Sequence, residues 1–533
     1  MRIRTKASAR RVARLALGLC LTGATAAALR LPGGAADPAL QEELTSVLER
    51  TGWRGATWGI LAVSLEWGDT LFALNADLPL IPASNMKLLT AAAALHYLGP
   101  EYRYRTFVLA DGTVTDGVLD GDLVLFGTGD PALSWRFAES RTAILESLAD
   151  SVIGTLGLKA IRGRVLGDGT FFAGPGTHPA WETADLDDWF AAPATALSFN
   201  ENVVTLRVVG GAEASARPRV ETIPGDAQVD IVNRAITVEG RSGAMHAGRE
   251  RGQGPILVSG EIGNRGPDRW RLVTVSDPAT FAAGALRNAL ETRGIRVEGG
   301  SAAVESPAAS PVNRRQIWSP LADDDAAPSI VAEHWSPALW ELIQVMNKTS
   351  HNLYAELILK TMGRVVEGEG SFTAGARVVE RFLVETVGAD PSEVRVVDGS
   401  GLSRENHVSA DAFVRTLAYM RSGPYGPTLL NSLPRSGEEE LGRMTRGAAA
   451  ENLRAKTGTL TGVSALSGEL RTLEGETVLF SILQNDVPSR RAAKRVEDAL
   501  SERIASLRRA HQGGSIELRP RDRPANGAPQ GND

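Results

Sequence analysis

Ser84 and Lys87, within the stretch Pro82-Ala83-Ser84-Asn85-Met86-Lys87-Leu88-Leu89-Thr90, put a hydroxyl and an amine three residues apart. On a helix that spacing brings the two side chains onto one face, one turn apart. A serine hydroxyl is a weak nucleophile at its own pKa, and a neutral amine within reach is a base that can take its proton. The ordinary reading of such a pair is a serine cap followed by a solvated lysine in the first helical turn. Met86, Leu88, Leu89 and the apolar residues 91–95 count against it, because a helix this apolar is buried on most sides. A lysine at the start of a buried helix needs a partner or a task.

Two later stretches supply candidate partners. Ser350-His351-Asn352 stands at the start of a helical pattern, and Lys456-Thr457-Gly458, followed by Thr459, stands just before a C-terminal hairpin. Each triplet alone occurs by chance in many long chains. The order S-x-x-K, S-x-N, K-T-G is specific when the first lies on a buried helix and the last enters an edge strand.

On these motifs the chain resembles the penicillin-recognising serine hydrolases. Within them it looks like the class C low-molecular-mass penicillin-binding proteins, the D-alanyl-D-alanine carboxypeptidase/endopeptidase family. Four features narrow the resemblance: Gly127-Thr128-Gly129-Asp130-Pro131-Ala132-Leu133, Leu197-Ser198-Phe199-Asn200-Glu201-Asn202, Asp398-Gly399-Ser400-Gly401-Leu402-Ser403-Arg404, and the 262 residues between Lys87 and Ser350. In β-lactamases the first two motifs lie much closer together. The resemblance covers about residues 40–510 and implies a serine enzyme acting on peptidoglycan stem peptides, with β-lactam antibiotics as covalent inhibitors and no metal or organic cofactor.

The residue types suit such an enzyme. Ser84 is the expected nucleophile and Lys87 its base, provided burial and a nearby cation such as Lys456 keep Lys87 neutral. Ser350 can relay the proton to the leaving amine, and the Asn352 amide can orient Lys87 and bond the substrate backbone. Lys456, Thr457 and Gly458 suit the substrate's terminal carboxylate, and the backbone N–H groups of Ser84 and Thr459 would form an oxyanion hole. If the wall carries diaminopimelate, its side-chain carboxylate and ammonium call for a cation and an anion set apart; Arg404 and Asp168 are the expected pair. After Lys-Thr-Gly the chain runs Thr459-Leu460-Thr461, where some relatives offer a longer amide at position 461.

Rival chemistries find less support. No convincing G-x-S-x-G nucleophile elbow is present, and Gly399-Ser400-Gly401 reads as a turn. His334, His351 and His407 read as structural, since no H-E-x-x-H or similar pair occurs. A catalytically inactive wall-binding module of the same fold is the alternative from a different class.

These residues need rigid elements to hold them. Residues 58–65 and 70–74 flank a tight turn and predict one hairpin; residues 465–470 and 477–483 predict another, leading into a helix over about 490–507. Hairpins at both ends with helices between predict an α/β (α+β) fold, an antiparallel sheet covered by helices; the resemblance implies that this is a transpeptidase/β-lactamase-like domain. Its N-terminal part is expected over 37–109 and its C-terminal part over 266–510. Over 110–265 short strands alternate with glycine-containing turns and predict one or two inserted β-rich modules; the resemblance implies two small inserted domains.

With 533 residues the chain exceeds the size of a single core. Residues 1–36 read as a signal peptide: six Lys and Arg precede an apolar run over 15–21, and small residues offer cleavage at Ala26 or Ala36. Membrane contact is then at most peripheral, or through an uncleaved signal, and the product is expected to be periplasmic or secreted. The only cysteine, Cys20, lies inside this segment, so a processed chain has neither disulfides nor a thiol nucleophile. Removal of 1–36 takes away seven Lys and Arg and no acid, moving the formal charge from −6 to −13 and arguing against nucleic acid as a partner. Residues 511–533, rich in Gly, Pro and charge, are expected to form a disordered tail.

Overall fold

Both hairpins form, and they join into one five-stranded antiparallel sheet in the order Leu453–Leu460, Val463–Arg471, Thr477–Asn485, Thr57–Ser64, Thr70–Leu74. The N- and C-terminal parts of the chain thus pair directly, Thr57–Ser64 running beside Thr477–Asn485. This computed structural model describes residues 38–225, 228–250, 252–314 and 330–509; the signal segment and the tail expected from the sequence lie outside them.

Helices cover both faces of the sheet. Ile60 and Ala62 face a core shared with Pro38–Glu49 and Arg490–Ala505, whereas Leu61 and Val63 face a larger core built on Met86–Tyr97, Asn352–Glu367 and Ala410–Ser422. Because side chains alternate across a strand, a strand covered on both faces reads as an unbroken apolar run, which is why 59–63 carries no polar residue. The helix Met86–Tyr97 is buried from Met86 to Leu95, Lys87 included.

Most of the chain between Met86–Tyr97 and Leu339–Lys348 builds a second body. Arg105–Thr115 and Val118–Phe126 form a long hairpin inside a mixed seven-stranded sheet that also holds Val165–Asp168, Ser301–Ala303 and Ile330–Trp335. Strand pairing therefore does not stop near residue 265: Ile330–Trp335 returns to lie against Arg105–Thr115 before the chain re-enters the helical core at Leu339–Lys348. Nor is this region only strands and turns. Ala143–Leu156 is a helix that buries Leu145, Leu148, Ala149 and Val152, a helical spacing, and with Pro278–Glu291 it forms the core over this sheet. Smaller sheets follow, one of Val203–Val209, Arg219–Ile223 and Arg269–Thr274 and one centred on Gln253–Gly263.

Candidate active site

Ser84 lies in a single 3₁₀ turn, Ala83–Asn85, that leads into Met86–Tyr97. It is not a helix cap: the cap position is Asn85, whose side chain instead donates to Ser467 Oγ at 2.7 Å. Ala83 is held at φ 46°, an unfavourable region for a residue with a Cβ and a recurrent sign of functional strain. Gly401 presses on this turn at φ 80°; a Cβ there would lie 1.8 Å from Ala83 O, so only glycine fits.

Lys87 is completely buried, with Nζ 2.9 Å from Ser84 Oγ. The amine donates to Asn352 Oδ1 at 2.6 Å and to Ser400 O at 2.8 Å. A neutral amine has two N–H bonds and one lone pair; two acceptors use both hydrogens, and the lone pair is left for the third neighbour, the Ser84 hydroxyl. Burial pushes Lys87 down to about 7, against the charges of Glu356 and Asp398 that would keep it protonated.

Those two acids shape the floor. Glu356 accepts from Gly399 N and Ser400 N, each at 2.8 Å, and so holds the two peptides that precede the carbonyl receiving Lys87, whose own N–H, on Gly401, goes to Asp398. Asp398 takes bonds from Gly401 N, Ser403 N, Asn406 Nδ2 and Trp181 Nε1, holding the rest of the 398–403 turn. Burial, and then the Asp398 charge, push Glu356 above the usual carboxylate range. Asp398 stands inside a stretch singled out from the sequence, but nothing in local spacing marks Glu356, one helical turn beyond Asn352.

Ser350 sits between the helices Leu339–Lys348 and Asn352–Glu367 in a left-handed conformation, φ 56°. Its Oγ accepts from Lys456 Nζ at 3.0 Å, and the same amine donates to Thr457 O at 2.9 Å. Burial, aided by the neighbouring Lys87 charge, pushes Lys456 well below its ordinary value. Asn352 spends Oδ1 on Lys87 and its amide nitrogen on Phe190 O at 2.8 Å, so the amide orients the Lys87 amine while its N–H is taken by the 3₁₀ turn Trp189–Ala191. Leu453–Leu460 is the outer strand of its sheet; its outer edge is bonded to residues 434–436 at Leu453 and Ala455, and its far end, Thr459 and Leu460, lines the cleft. It can come this close to Ser84 because Gly458 has no side chain; a Cβ would lie 2.5 Å from Pro82 O.

The cleft above this group, about 450 Å³, is lined by Ser84, Ser350, Asn352, Thr459 and Arg404, and by Glu182, Asp185, Trp189 and Arg490. Arg404 donates to Thr461 O at 3.0 Å, and among the described residues no carboxylate pairs with it. Asp168 is not brought to the cleft. It is fully buried at the end of Val165–Asp168 in the inserted sheet, where it accepts from Thr170 N at 2.9 Å, from Thr170 Oγ1 and from Ser310 Oγ. Its carboxylate is consumed by the turn it ends, and the acids that share the cleft with Arg404 are Glu182 and Asp185. Their stretch, Trp181-Glu182-Thr183-Ala184-Asp185-Leu186-Asp187-Asp188-Trp189, has no periodicity to set it apart from a surface loop.

A family profile described as D-Ala-D-Ala carboxypeptidase 3 (S13) matches residues 40–507. The chain is 34% identical over 521 residues to the D-alanyl-D-alanine carboxypeptidase of Actinomadura sp. (strain R39), spanning 94% of this chain and 91% of that one. It is 23% identical over 438 residues to the D-alanyl-D-alanine carboxypeptidase DacB of Haemophilus influenzae, covering 80% and 85% of the two chains. The crystal structure of penicillin binding protein 4 (dacB) from Haemophilus influenzae shares the fold, with a TM-score of 0.71 at 22% identity over 86% of this chain and 98% of that one. With the three motifs gathered around one cleft and the profile spanning nearly the whole described chain, this protein belongs to the D-Ala-D-Ala carboxypeptidase 3 (S13) family of serine hydrolases.

Proposed function

We propose that this chain removes the terminal D-alanine from peptidoglycan stem peptides through an acyl-enzyme on Ser84, and cleaves D-alanyl cross-bridges at the same site. The observation that carries this reading is the setting of Lys87, whose two hydrogens are committed to Asn352 and Ser400 and whose third neighbour is Ser84 Oγ. Lys87 takes the Ser84 proton as Oγ attacks the penultimate D-alanine carbonyl. The backbone N–H groups of Ser84 and Thr459 receive the oxyanion, worth about 3–4 kcal/mol per donor in comparable sites. The proton passes through Ser350 to the leaving amine, the C–N bond breaks, and D-alanine departs. Water then attacks the ester, releasing the shortened peptide and restoring the hydroxyl.

Lys456 and Thr457 receive the substrate's terminal carboxylate. That anion favours the charged form of Lys456, and a charged Lys456 in turn favours a neutral Lys87, so substrate binding and activation of the base reinforce each other. A β-lactam presents a strained amide to the same groups and stays attached as the ester, which makes it a covalent inhibitor. Residues 1–36 direct the chain out of the cytoplasm, to the compartment that holds this substrate. Purified protein is expected to release D-alanine from a pentapeptide ending in D-Ala-D-Ala and to split a cross-linked stem-peptide dimer, both followed by chromatography. Folded protein that does neither would reject the reading.

Specificity for diaminopimelate rests on Arg404 and on the acids at Glu182 and Asp185, in place of Asp168. Burial, then the charges of Glu182 and Asp188, raise Asp185, so this corner of the cleft favours an incoming cation. A guanidinium forked on a carboxylate contributes about 1.5–3 kcal/mol, roughly 10- to 100-fold in kcat/KM. Arg404→Ala is therefore expected to lose that factor on a pentapeptide carrying diaminopimelate and little on the lysine analogue. Equal losses on both peptides would make Arg404 a structural residue.

A further inference from the structure

The middle residue of the second motif, His351, is held from the inserted part of the chain. Its Nε2 lies 2.9 Å from Glu201 Oε2, and both side chains are buried, with His351 only 1% exposed. The bond to a carboxylate places the hydrogen on Nε2. Glu201 is gripped from its other side by Arg136, through Nε to Oε1 and through Nη2 to Oε2 at 3.5 Å. The imidazole also packs against Tyr354, with ring centroids 4.7 Å apart, and meets Trp189 edge-on at 5.6 Å.

The backbone that presents Glu201 is unusual. Asn200, Glu201 and Asn202 are all left-handed, at φ 48°, 58° and 55°, although none is glycine. Side chains hold this turn in place: Asn202 Oδ1 accepts from Phe199 N at 3.1 Å, Asn202 Nδ2 donates to Pro193 O at 2.7 Å, and Arg141 donates to Asn200 Oδ1 at 2.8 Å. Strain of this kind persists only where surrounding structure over-determines it. Here it aims one carboxylate at one histidine. Burial would raise Glu201, but its bonds and charge contacts with His351 and Arg136 outweigh that and hold it at about 2, so it stays ionised at any pH where the enzyme works.

His351 is bonded to the two residues whose side chains finish the catalytic group. Ser350, before it, turns the chain through φ 56° and meets Lys456; Asn352, after it, starts a helix and orients Lys87. Pinning the imidazole anchors the Cα that joins the two flanking peptides. We propose that Glu201 is a positioning residue for the reaction: through its hydrogen bond to His351 it sets the placement of Ser350 and Asn352 against Lys456 and Lys87. The inference rests on the roles given above to Ser350 and Asn352, and it makes the inserted part of the chain a component of the catalytic geometry.

The test uses the whole chain, with active sites counted by labelled penicillin, and follows kcat and KM for D-alanine release together with the single-turnover acylation rate. Small misplacements of reacting groups cost up to about 100-fold. Glu201→Ala is expected to lower kcat and acylation by about 10- to 100-fold per active site at nearly constant KM, and Glu201→Gln, which still accepts from Nε2, to retain most of the rate. In the double variant with His351→Asn the losses should not add, because both substitutions break one link. Wild-type kcat per active site in Glu201→Ala, a loss in Glu201→Gln as large as in Glu201→Ala, or additive losses in the double variant would each overturn the proposal. Should Glu201→Ala fail to fold, Arg136→Met, which removes the outer grip on Glu201, carries the same expectation, and unchanged kcat there overturns it. Wild-type protein that releases no D-alanine would instead reject the parent reading, so the two failures are told apart.

Discussion

Ser84→Ala is expected to abolish covalent penicillin labelling and to lower D-alanine release by at least about 10⁴-fold, while the protein keeps its fold. The reason lies in how little else Ser84 does. Its hydroxyl caps no helix and meets Lys87 Nζ at 2.9 Å. The strain at Ala83, the packing of Gly401 and the burial of Met86–Tyr97 do not depend on it. Loss of one hydroxyl beside a half-buried position is expected to change stability by about 1 kcal/mol or less. The measurement is gel fluorography with a labelled penicillin, with the modified peptide located by mass spectrometry and the melting temperature recorded alongside. Labelling that survives in a folded Ser84→Ala protein, or label found on another residue of the wild type, would remove Ser84 from its role.

Lys87 carries the second large effect, and it has a pH signature. Acylation requires the neutral amine, and burial brings Lys87 down to about 7. The acylation rate of wild type is therefore expected to rise with pH through about 7 and then level off, whereas Lys87→Met should lose acylation by at least about 10³-fold at every pH. Stability carries the same signature with a definite sign. The folded lysine titrates at about 7 and the unfolded one near 10.5, so between those values the unfolded chain binds more protons and wild-type stability grows as pH rises. Lys87→Met has no such group, and the stability difference between the two should shift toward wild type from pH 7 to 10.5. A flat acylation profile, or a folded Lys87→Met protein that acylates at the wild-type rate, would end the assignment of Lys87 as the base.

What the sequence could determine by itself was local. Ser84 and Lys87 lie one helical turn apart, Lys456 to Thr459 lie along one strand, and both hairpins have partners a few residues away; spacing of this kind follows from the geometry of helix and strand. The closure of the sheet by the two chain ends could be read because each end held a hairpin and neither could bury both faces alone. Asn352, by contrast, meets Lys87 across 265 residues of sequence, a meeting expected only from the order of the motifs, and Glu356, on the helix of Asn352, and Asp398 reach the floor of the site from parts of the chain just as distant from Lys87. No periodicity encodes such meetings, which depend on how the helices pack. Asp168 shows the limit most plainly: a carboxylate in a glycine-rich turn looks the same in sequence whether it faces a cleft or a serine. Only the tertiary structure could bury it against Ser310 and put Glu182 and Asp185 beside Arg404 instead. The same holds for His351, which in sequence is merely the residue between Ser350 and Asn352. A left-handed turn from the inserted part reaches it with a charged side chain, because long-range packing, not local spacing, decides which buried polar groups find each other.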